Sequence, residues 1–558
     1  MAKLKPSRPS PAPRIVPPSI ARATPLEKWS ALILVVGTLA FAHRLEAFSV
    51  LNMQIGGGAD PRLIHTICEH WLQVFRGQAV IASPHYFYPQ LGTLGYTDAM
   101  LGQGALYALA RGSGMEMFNA YNFMLVSMDT LNVLATLALL HYGLRLRLPG
   151  AAFGAALFAV NSPKLAQIGH AQLLLVFPLA LALWAVVDLA KRPKFGWQTL
   201  ALGAAFGACV SLQVWSSFYN AWFFCFWLML AGLLTLVHRE TRATVLTTLR
   251  HHWPAVLVAV WVLYQCLMPF ARIYQPVAEQ LGWRTYAEVM EMLPQPLSYF
   301  SMGETSIVWG WLPHVFPQFT QLPMPWEHYM GVGIVPWLAV IAVLLAAVRS
   351  VQRHQATAME RWLLLVIASS LLLLLVPIRL GDFSLWRGLY DYFPGGKAIR
   401  SVTRVILVAM LPIAIVAATL LDRLLAQAAR SQHLRLWTGV LFAVVVFATV
   451  EQGRHLPGHI PTEERARVAE IAAQIDPQRC TSFFVRTSTT GPETEIDLQT
   501  MAMLAAMQTG VPTLNGYSGK YPYGWDMERI RDPGYLDRVR EWRMRNGLRA
   551  TPCVAWVR

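Results

Sequence analysis

Long apolar runs separated by short polar connections make up most of the chain. An α-helix needs about 20 apolar residues to cross a bilayer. Eleven runs fit this role, near 29–49, 117–142, 149–163, 171–190, 196–213, 215–238, 253–271, 329–349, 361–379, 402–424 and 435–451. The connections 50–116, 272–328 and 380–401 are longer and more polar. The pattern therefore predicts an all-α polytopic membrane bundle with about eleven transmembrane helices.

The first long connection begins with an amphipathic helix. After the glycines at 56–58, apolar residues recur at helical spacing as far as Phe75, and polar residues such as Glu69 and His70 take the opposite face. Such a helix is typical of the membrane surface, with its polar face in water. The later apolar segment 98–110 is ambiguous, because it is short for a span.

Charge decides how segment 98–110 is placed. Lysine and arginine cluster in short connections, near 145–147, 191–194, 239–250, 349–361 and 423–435. If segment 98–110 does not span, all these clusters lie on the same side as the basic N-terminus, as the positive-inside rule requires. We therefore expect a second interfacial helix at 98–110 and a cytoplasmic N-terminus. The long connections and the tail from about 452 are then external.

The sequence divides into three parts. Residues 1–28 are basic and proline-rich and predict a disordered cytoplasmic tail. The membrane domain covers 29–451. Residues 452–558 predict a small extracytoplasmic α/β domain that is large enough to fold alone, though marginally. Its elements alternate as helix 462–475, strand 480–486, helix 497–509, strand 511–514, helix 534–546 and strand 552–557.

Two cysteines of the tail could form a disulfide. Cys480 opens the first predicted strand and Cys553 lies near the start of the last. Parallel strands would bring both to the same end of the sheet, and a disulfide would persist in an oxidising compartment. If the strands are not adjacent, or the side chains point to opposite faces, the two residues are buried free thiols.

Composition agrees with a membrane protein and argues against nucleic-acid binding. Of 558 residues, 55% are hydrophobic and 14% charged, and the mean hydropathy is +0.40. The formal charge of +15 comes from clusters between apolar runs, not from basic residues interleaved with aromatic ones. We therefore expect a lipid bilayer, and no nucleic acid, as a partner. The six cysteines show no CxxC and no metal-ligand spacing.

Three acidic residues lie where external connections meet predicted helices. Asp60 precedes a proline at the start of the first surface helix, which suits an ordinary N-cap. It also suits a general base or an acceptor-binding carboxylate, because a low-dielectric boundary would raise its pKa. Asp98 opens the second surface helix with the same two alternatives. Glu327 stands at the outer entry to a span.

Basic and aromatic residues accompany these acids. Arg400 and Arg404 are four residues apart, so they share a face of a helix, on a connection where the positive-inside bias fails. They could bind a lipid phosphate. Alternatively, their long side chains simply reach from the membrane to the polar surface. Histidine and tyrosine residues occur in the same external connections, where they either bind substrate or are ordinary interfacial side chains: His85, Tyr88, His170 and His328.

The order of these residues resembles the GT-C superfamily of integral membrane glycosyltransferases, in particular a broad group of bacterial members. The resemblance covers most of the chain and depends on order and membrane placement rather than on any one motif. The first loop lacks the paired Asp-X-Asp that several members use for metal. We therefore expect no cofactor. A divalent metal is possible, but no paired-acid motif supports one. The positions that carry the resemblance are Asp60, the stretch 87–89, Asp98, Gly169-His170, Glu327-His328, Arg400, Arg404 and the stretch 515–519.

The resemblance implies an inverting sugar transfer at the outer face of a bacterial inner membrane. Arg400 and Arg404 would hold the phosphate of a polyprenyl-phosphate sugar. Asp60 would take the proton from a hydroxyl of a periplasmic glycan, glycolipid or protein acceptor. Asp98 and Glu327 are further candidate catalytic residues, and the histidines and Tyr88 are candidate substrate contacts. A transporter or flippase, or a non-catalytic envelope-biogenesis protein, remains the alternative.

Overall fold

The computed structural model describes residues 23–44, 49, 51–55, 58–456, 458–487 and 493–557. Most of the predicted disordered segment 1–28 lies outside these ranges, as do Gly56 and Gly57. The first helix begins within that segment, because Thr24 and Glu27 form a capping box ahead of the apolar run. The helices are α1 Pro25–Ala42, α2 Ala59–Phe75, α3 Leu101–Gly112, α4 Met117–Ala138, α5 Leu148–Ala159, α6 Ser162–Ala166, α7 Phe177–Lys191, α8 Trp197–Ser216, α9 Phe218–Thr235, α10 Arg239–Leu281, α11 Tyr286–Glu291, α12 Leu312–Val315, α13 Ile334–Gln352, α14 Ala358–Leu375, α15 Trp386–Tyr392, α16 Val405–Ala428, α17 Leu434–Glu451, α18 Thr462–Ala473, α19 Glu495–Thr509 and α20 Tyr535–Arg545.

The protein is a polytopic helical bundle with a small α/β tail. Over the described ranges, ten helical segments are long and apolar enough to cross a membrane: Pro25–Ala42, Met117–Gly143, Ala171–Lys191, Trp197–Ser216, Phe218–Thr235, Arg239–Leu281, Ile334–Gln352, Ala358–Leu375, Val402–Ala428 and Leu434–Glu451. The predicted span at 149–163 is instead the 12-residue helix α5. At 1.5 Å per residue α5 is about 18 Å long, too short for a hydrocarbon core of about 30 Å.

Helix α5 still carries the chain between the two ends of the bundle. At its start, the backbone N–H of Arg147 donates to Asp422 near the end of α16 (2.9 Å). Just after it, the N–H of Ser162 donates to Gln452 at the end of α17 (3.1 Å). These contacts lie at opposite ends of the bundle, so α5 and the segment after it preserve the alternation of ends that eleven spans would give.

The bundle has one basic end. The backbone carbonyl of Gly143 accepts from Lys191, and Arg361 pairs with Glu240 at 2.5 Å. These connections carry the predicted basic clusters, and all of them meet at the end opposite the first loop and the tail. We call the end with the first loop and the tail the site end. The expectation that the basic end is cytoplasmic remains a prediction.

The segment 98–110 does not form a span, since α3 has only 12 residues. The solvated polar face predicted for α2 is wrong, because α3 and the tail cover that face. Glu69 is buried and accepts from the Tyr107 hydroxyl (2.5 Å) and from Arg111 (2.7 Å). His70 is buried as well and contacts the carbonyl of Ile81 (3.0 Å).

The tail is the predicted α/β unit with parallel strands. Strand β3, Phe483–Thr487, pairs in parallel with β4, Cys553–Val557, and a parallel bridge joins Phe483 to Thr513 on its other side. The short strands β1, Gln54–Ile55, and β2, Gly458–His459, form a separate antiparallel pair.

Of the two alternatives left open for the tail cysteines, the structure has the disulfide. Cys480 is bonded to Cys553, with a Cα–Cα distance of 5.7 Å. Parallel pairing places Phe483 opposite Cys553, so the two cysteines meet at one end of the sheet, as the alternation of elements predicts.

The tail and the first loop share one hydrophobic core. Ile67 and Trp71 of α2 belong to the same buried cluster as Leu504 of α19. Arg62 of α2 pairs with Asp497 of the tail at 2.5 Å. The tail is therefore packed onto the first loop over a broad surface, and its packing on α2 determines which residues surround the N-terminus of that helix.

Candidate active site

A cavity of about 730 Å³ opens at the site end of the bundle. Its wall comes from the start of α2, the end of α10, the residues before α16 and the tail. The side chains that line it are Asp60, Leu63, Ile64, Thr97, Met100, His170, Gln172, Leu281, Trp283, Arg284, Thr285, Glu288, Arg400, Arg404, Tyr517, Ser518, Lys520 and Tyr521. Four predicted site residues therefore meet here, namely Asp60, His170, Arg400 and Arg404.

Asp60 is the carboxylate at the centre of this wall. It lies in the first turn of α2, where a negative charge is favoured by the helix dipole. The N-cap is Gly58, with a φ of 106° and no side-chain bond, so the predicted capping role of Asp60 is wrong. Its side chain points to other partners: His170 Nε2 lies 3.0 Å from Oδ2, and the Tyr517 hydroxyl donates to Oδ1 at 2.8 Å.

The electrostatics of Asp60 also differ from the expectation. Burial raises the pKa of Asp60, but the hydrogen bonds and charge of His170, the Tyr517 hydroxyl and the charge of Arg404 outweigh it. The net effect lowers the pKa below its ordinary value, so the predicted raised pKa is wrong. Asp60 is therefore ionised at neutral pH and able to accept a proton, and its lowered pKa makes it a weaker base than a free carboxylate.

The two arginines have different environments. Arg404 is buried and donates to both carboxylate oxygens of Glu327 (2.8 and 3.3 Å), with its guanidinium over the ring of Tyr219. Arg400 lies before α16 and its backbone N–H donates to the Tyr219 hydroxyl (3.0 Å). Within the described ranges its guanidinium has no hydrogen bond or ion pair. The expectation that both lie on one helical face is wrong, because α16 begins only at Val405.

Two further cations line the cavity and were not predicted. Arg284 donates to the carbonyl of Gly519, and Lys520 donates to that of Gly282 at 2.5 Å. Both bonds fasten the tail to the end of α10. Arg284 breaks the positive-inside bias as Arg400 does, so the same signal could have found it. Tyr517 falls in the stretch 515–519, whose position in the tail gave no indication that it would reach Asp60.

Asp98 and Glu327 lie behind the cavity wall. Asp98 accepts from the backbone N–H of Phe218 at the start of α9 (3.3 Å), and its own helix α3 begins three residues later. Its predicted N-cap role in α3 is therefore wrong. Burial raises the pKa of Asp98, opposed by the Phe218 N–H and by the charges of Arg404 and His170. Glu327 serves as the partner of Arg404.

Three predicted substrate contacts lie elsewhere. His328 is buried and its ring contacts the Ser298 hydroxyl at 2.7 Å. The backbone of Tyr88 joins the loop to the tail, donating to Thr513 (2.9 Å). His85 lines a second cavity. Sequence order placed all three in external connections, but it contained no information on which wall each would face.

The described part of the chain holds no group of three or more His, Cys, Asp or Glu side chains placed to bind a metal ion. The expected metal independence stays a prediction.

No protein-family model and no curated protein matches the chain. Solved structures similar to it include the crystal structure of ArnT from Cupriavidus metallidurans bound to undecaprenyl phosphate, with 13% identity, a TM-score of 0.41, and coverage of 88% of this chain and 84% of that one. The apo state of ArnT gives 12% identity, the same TM-score, and coverage of 88% and 86%. At this identity and score, function has to be argued from the site itself.

Proposed function

We propose that the protein is an inverting membrane glycosyltransferase. It would move a sugar from a polyprenyl-phosphate donor to a hydroxyl of a cell-envelope glycan, glycolipid or protein. One observation carries this proposal. A single cavity at the end of the membrane bundle contains both an ionised carboxylate, Asp60, and an arginine without an ion-pair partner among the described residues, Arg400. The carboxylate could accept the proton of the attacking hydroxyl, and the arginine could bind the phosphate that leaves.

Arg400 is the proposed phosphate ligand. A guanidinium binds phosphate oxygens through forked, charge-assisted hydrogen bonds, and that of Arg400 is free to make them. Arg404 adds its positive charge to the same cavity wall, with its Nε and one of its two Nη groups engaged by Glu327. Glu327 is thus proposed as a positioning residue for Arg404, in place of the catalytic role expected from the sequence.

Asp60 is the proposed proton acceptor. The acceptor hydroxyl would donate its proton to the carboxylate as its oxygen bonds to C1 of the sugar. The bond from C1 to the phosphate oxygen breaks on the opposite face, which inverts the anomeric carbon, and the lipid monophosphate leaves with the electron pair. The cations around Arg400 stabilise the charge that develops on the leaving group.

The setting of the cavity suits a lipid donor. Leu281 and Trp283, at and beyond the end of α10, line its wall. Helix α10 is a candidate span whose apolar side chains, among them Trp261 and Tyr264, are largely exposed. A polyprenyl chain could therefore lie along α10 while its phosphate reaches Arg400.

A transporter is less well supported, although charged groups do lie inside the bundle. Asp129 of α4 is buried with Lys164 and His43. Lys164 donates to one carboxylate oxygen of Asp129, and His43 lies 3.1 Å from the other. Because these charges are paired with one another, they fasten α1 and α6 to α4 and leave no free carboxylate.

The test is a transfer assay with the full-length protein in liposomes. Polyprenyl-phosphate sugars labelled in the sugar would be supplied with an envelope extract from a deletion strain. We expect the label to move to an acceptor, with release of lipid monophosphate. Intact donor after incubation with every sugar of the panel would contradict the proposal.

A further inference from the structure

A second cavity, of about 630 Å³, lies at the far end of α2. Asp60 and Arg76 are 16 residues apart, which places this cavity about 24 Å from the Asp60 carboxylate along the helix. The cavity is formed where the end of α2 meets the start of α4 and the end of α19. Its polar and charged lining includes Glu69, Arg76, Gln78, His85, Arg111 and Glu116.

The charges in this cavity leave one cation without a partner. Glu69 is neutralised by Arg111 at 2.7 Å. Glu116 pairs with Arg465 at 3.1 Å and accepts from the backbone N–H of Phe118. Across the described ranges, the guanidinium of Arg76 has no hydrogen bond or ion pair. The cavity therefore presents a free positive charge, and both of its acids already have partners.

Exposed apolar side chains beside the cavity lie over the end of a candidate span. Phe75 and Val80 flank the lining residue Arg76 and are 52% and 73% exposed. The Phe75 ring stacks on Trp71 at 5.6 Å, and Trp71 meets Trp215, next to the last residue of the span Trp197–Ser216, at 6.3 Å. Exposed apolar side chains over the end of a span are typical of contact with lipid.

We propose that this cavity binds the headgroup of an anionic membrane phospholipid. Arg76 would bind the phosphate oxygens, His85 and Gln78 would offer further hydrogen bonds, and the acyl chains would lie against Phe75 and Val80. A free arginine beside an exposed apolar loop fits an amphiphile with an anionic headgroup better than a free anion. The inference is independent of the transfer reaction proposed above.

Lipid binding can be measured on the delipidated full-length protein by native mass spectrometry. The probes are phosphatidylglycerol, zwitterionic phosphatidylcholine, and inorganic phosphate as competitor. We expect phosphatidylglycerol to bind in preference to phosphatidylcholine. Arg76→Ala should weaken that binding about tenfold, the loss of one charge-assisted hydrogen bond. Arg76→Lys should restore part of it.

Arg540→Ala is the matched control, because Arg540 is an exposed arginine on the tail, paired with Asp537 and outside the cavity. It should bind phosphatidylglycerol as the wild type does. Equal binding of the two lipids, or full binding by Arg76→Ala, would overturn the proposal. Displacement of phosphatidylglycerol by an equal concentration of inorganic phosphate would show a free-phosphate site and would also overturn it.

Discussion

The hydrogen bond from Tyr517 to Asp60 helps to keep the proposed base ionised, after the larger effect of His170. It is one of the interactions that lower the pKa of Asp60. Tyr517→Phe removes it while keeping the ring, so the pKa of Asp60 should rise. Because Asp60 must be ionised to accept a proton, the acid limb of the kcat/KM profile should move to higher pH.

A pH–rate profile of the reconstituted protein checks this shift. Tyr523→Phe is the control, since Tyr523 is 89% exposed and lies in the same segment of the tail. An acid limb that stays in place in Tyr517→Phe would mean that Asp60 does not control the rate, even if overall activity falls.

Arg400 and Arg404 should respond differently to removal. Arg400→Ala should weaken donor binding by about 1.5–3 kcal/mol, the value of a charge-assisted hydrogen bond, with little change in stability. Arg404→Ala leaves the Glu327 carboxylate buried and unpaired, which should destabilise the fold by about 3–5 kcal/mol. Donor titrations and thermal unfolding of both variants separate the two effects, and equal behaviour would contradict the assignment.

For single residues, the sequence shows which side chains are chemically suited to the proposed reaction, but not which of them lie close together. Charge bias singles out Arg400 as an arginine in an unusual place. It cannot show that Arg404 is already paired, because Glu327 is 77 residues away in the chain. The Tyr517–Asp60 bond joins residues 457 apart, beyond the reach of any local pattern.

Among the elements, the tail follows its sequence pattern closely. The alternation of helices and strands predicts its parallel sheet, because each element has its own local periodicity. It leaves the Cys480–Cys553 bond open, because that bond depends on which strands are neighbours. The first loop does not follow its pattern. The polar face of α2 resembles a solvated surface in isolation, and only the packing of α3 and the tail shows that it is an interior.

The tail disulfide should contribute measurably to stability. Cys480 and Cys553 are 73 residues apart, and closing a loop of that length stabilises by about 4 kcal/mol in the chain-entropy model. The double variant Cys480→Ser/Cys553→Ser should therefore unfold at lower temperature. Alkylation of the denatured wild type provides the check, because both tail cysteines should label only after reduction.

The core shared by the tail and α2 leads to a second expectation. A fragment of residues 452–558 would lack α2. It would therefore lose Arg62, which pairs with Asp497, and the apolar side chains around Arg62. The isolated fragment should therefore be less protected in hydrogen exchange than the same residues in the whole protein. Equal protection would indicate a tail that folds on its own.

For the whole molecule, the bundle is predictable and its span count is not. Length and hydropathy identify ten spans, whereas α5 is an apolar run that ends after 12 residues. Its role in returning the chain to the site end depends on packing. Gly154 approaches Ala418 so closely that an added Cβ would lie 2.7 Å from the Ala418 Cβ, and a small residue is required there.

The orientation of the bundle can be tested with fusions. The basic end, with Lys191 and Arg192, should be cytoplasmic by the positive-inside rule. Alkaline phosphatase fused after the tail should be active, and a fusion within 191–194 should be inactive. The reverse result would place the cavity on the cytoplasmic side and exclude a periplasmic acceptor.

The central claim is that Asp60 accepts the proton in a sugar transfer, and Asp60→Asn tests it most directly. The variant keeps the size of the side chain and an acceptor for Tyr517, so it should be expressed and inserted normally. Transfer from the polyprenyl-phosphate sugar should fall at least about 100-fold, the low end of general-base contributions, with donor binding retained. Asp476→Asn, an exposed acid of the tail, should remain fully active. An Asp60→Asn protein that transfers sugar at the wild-type rate would contradict the account.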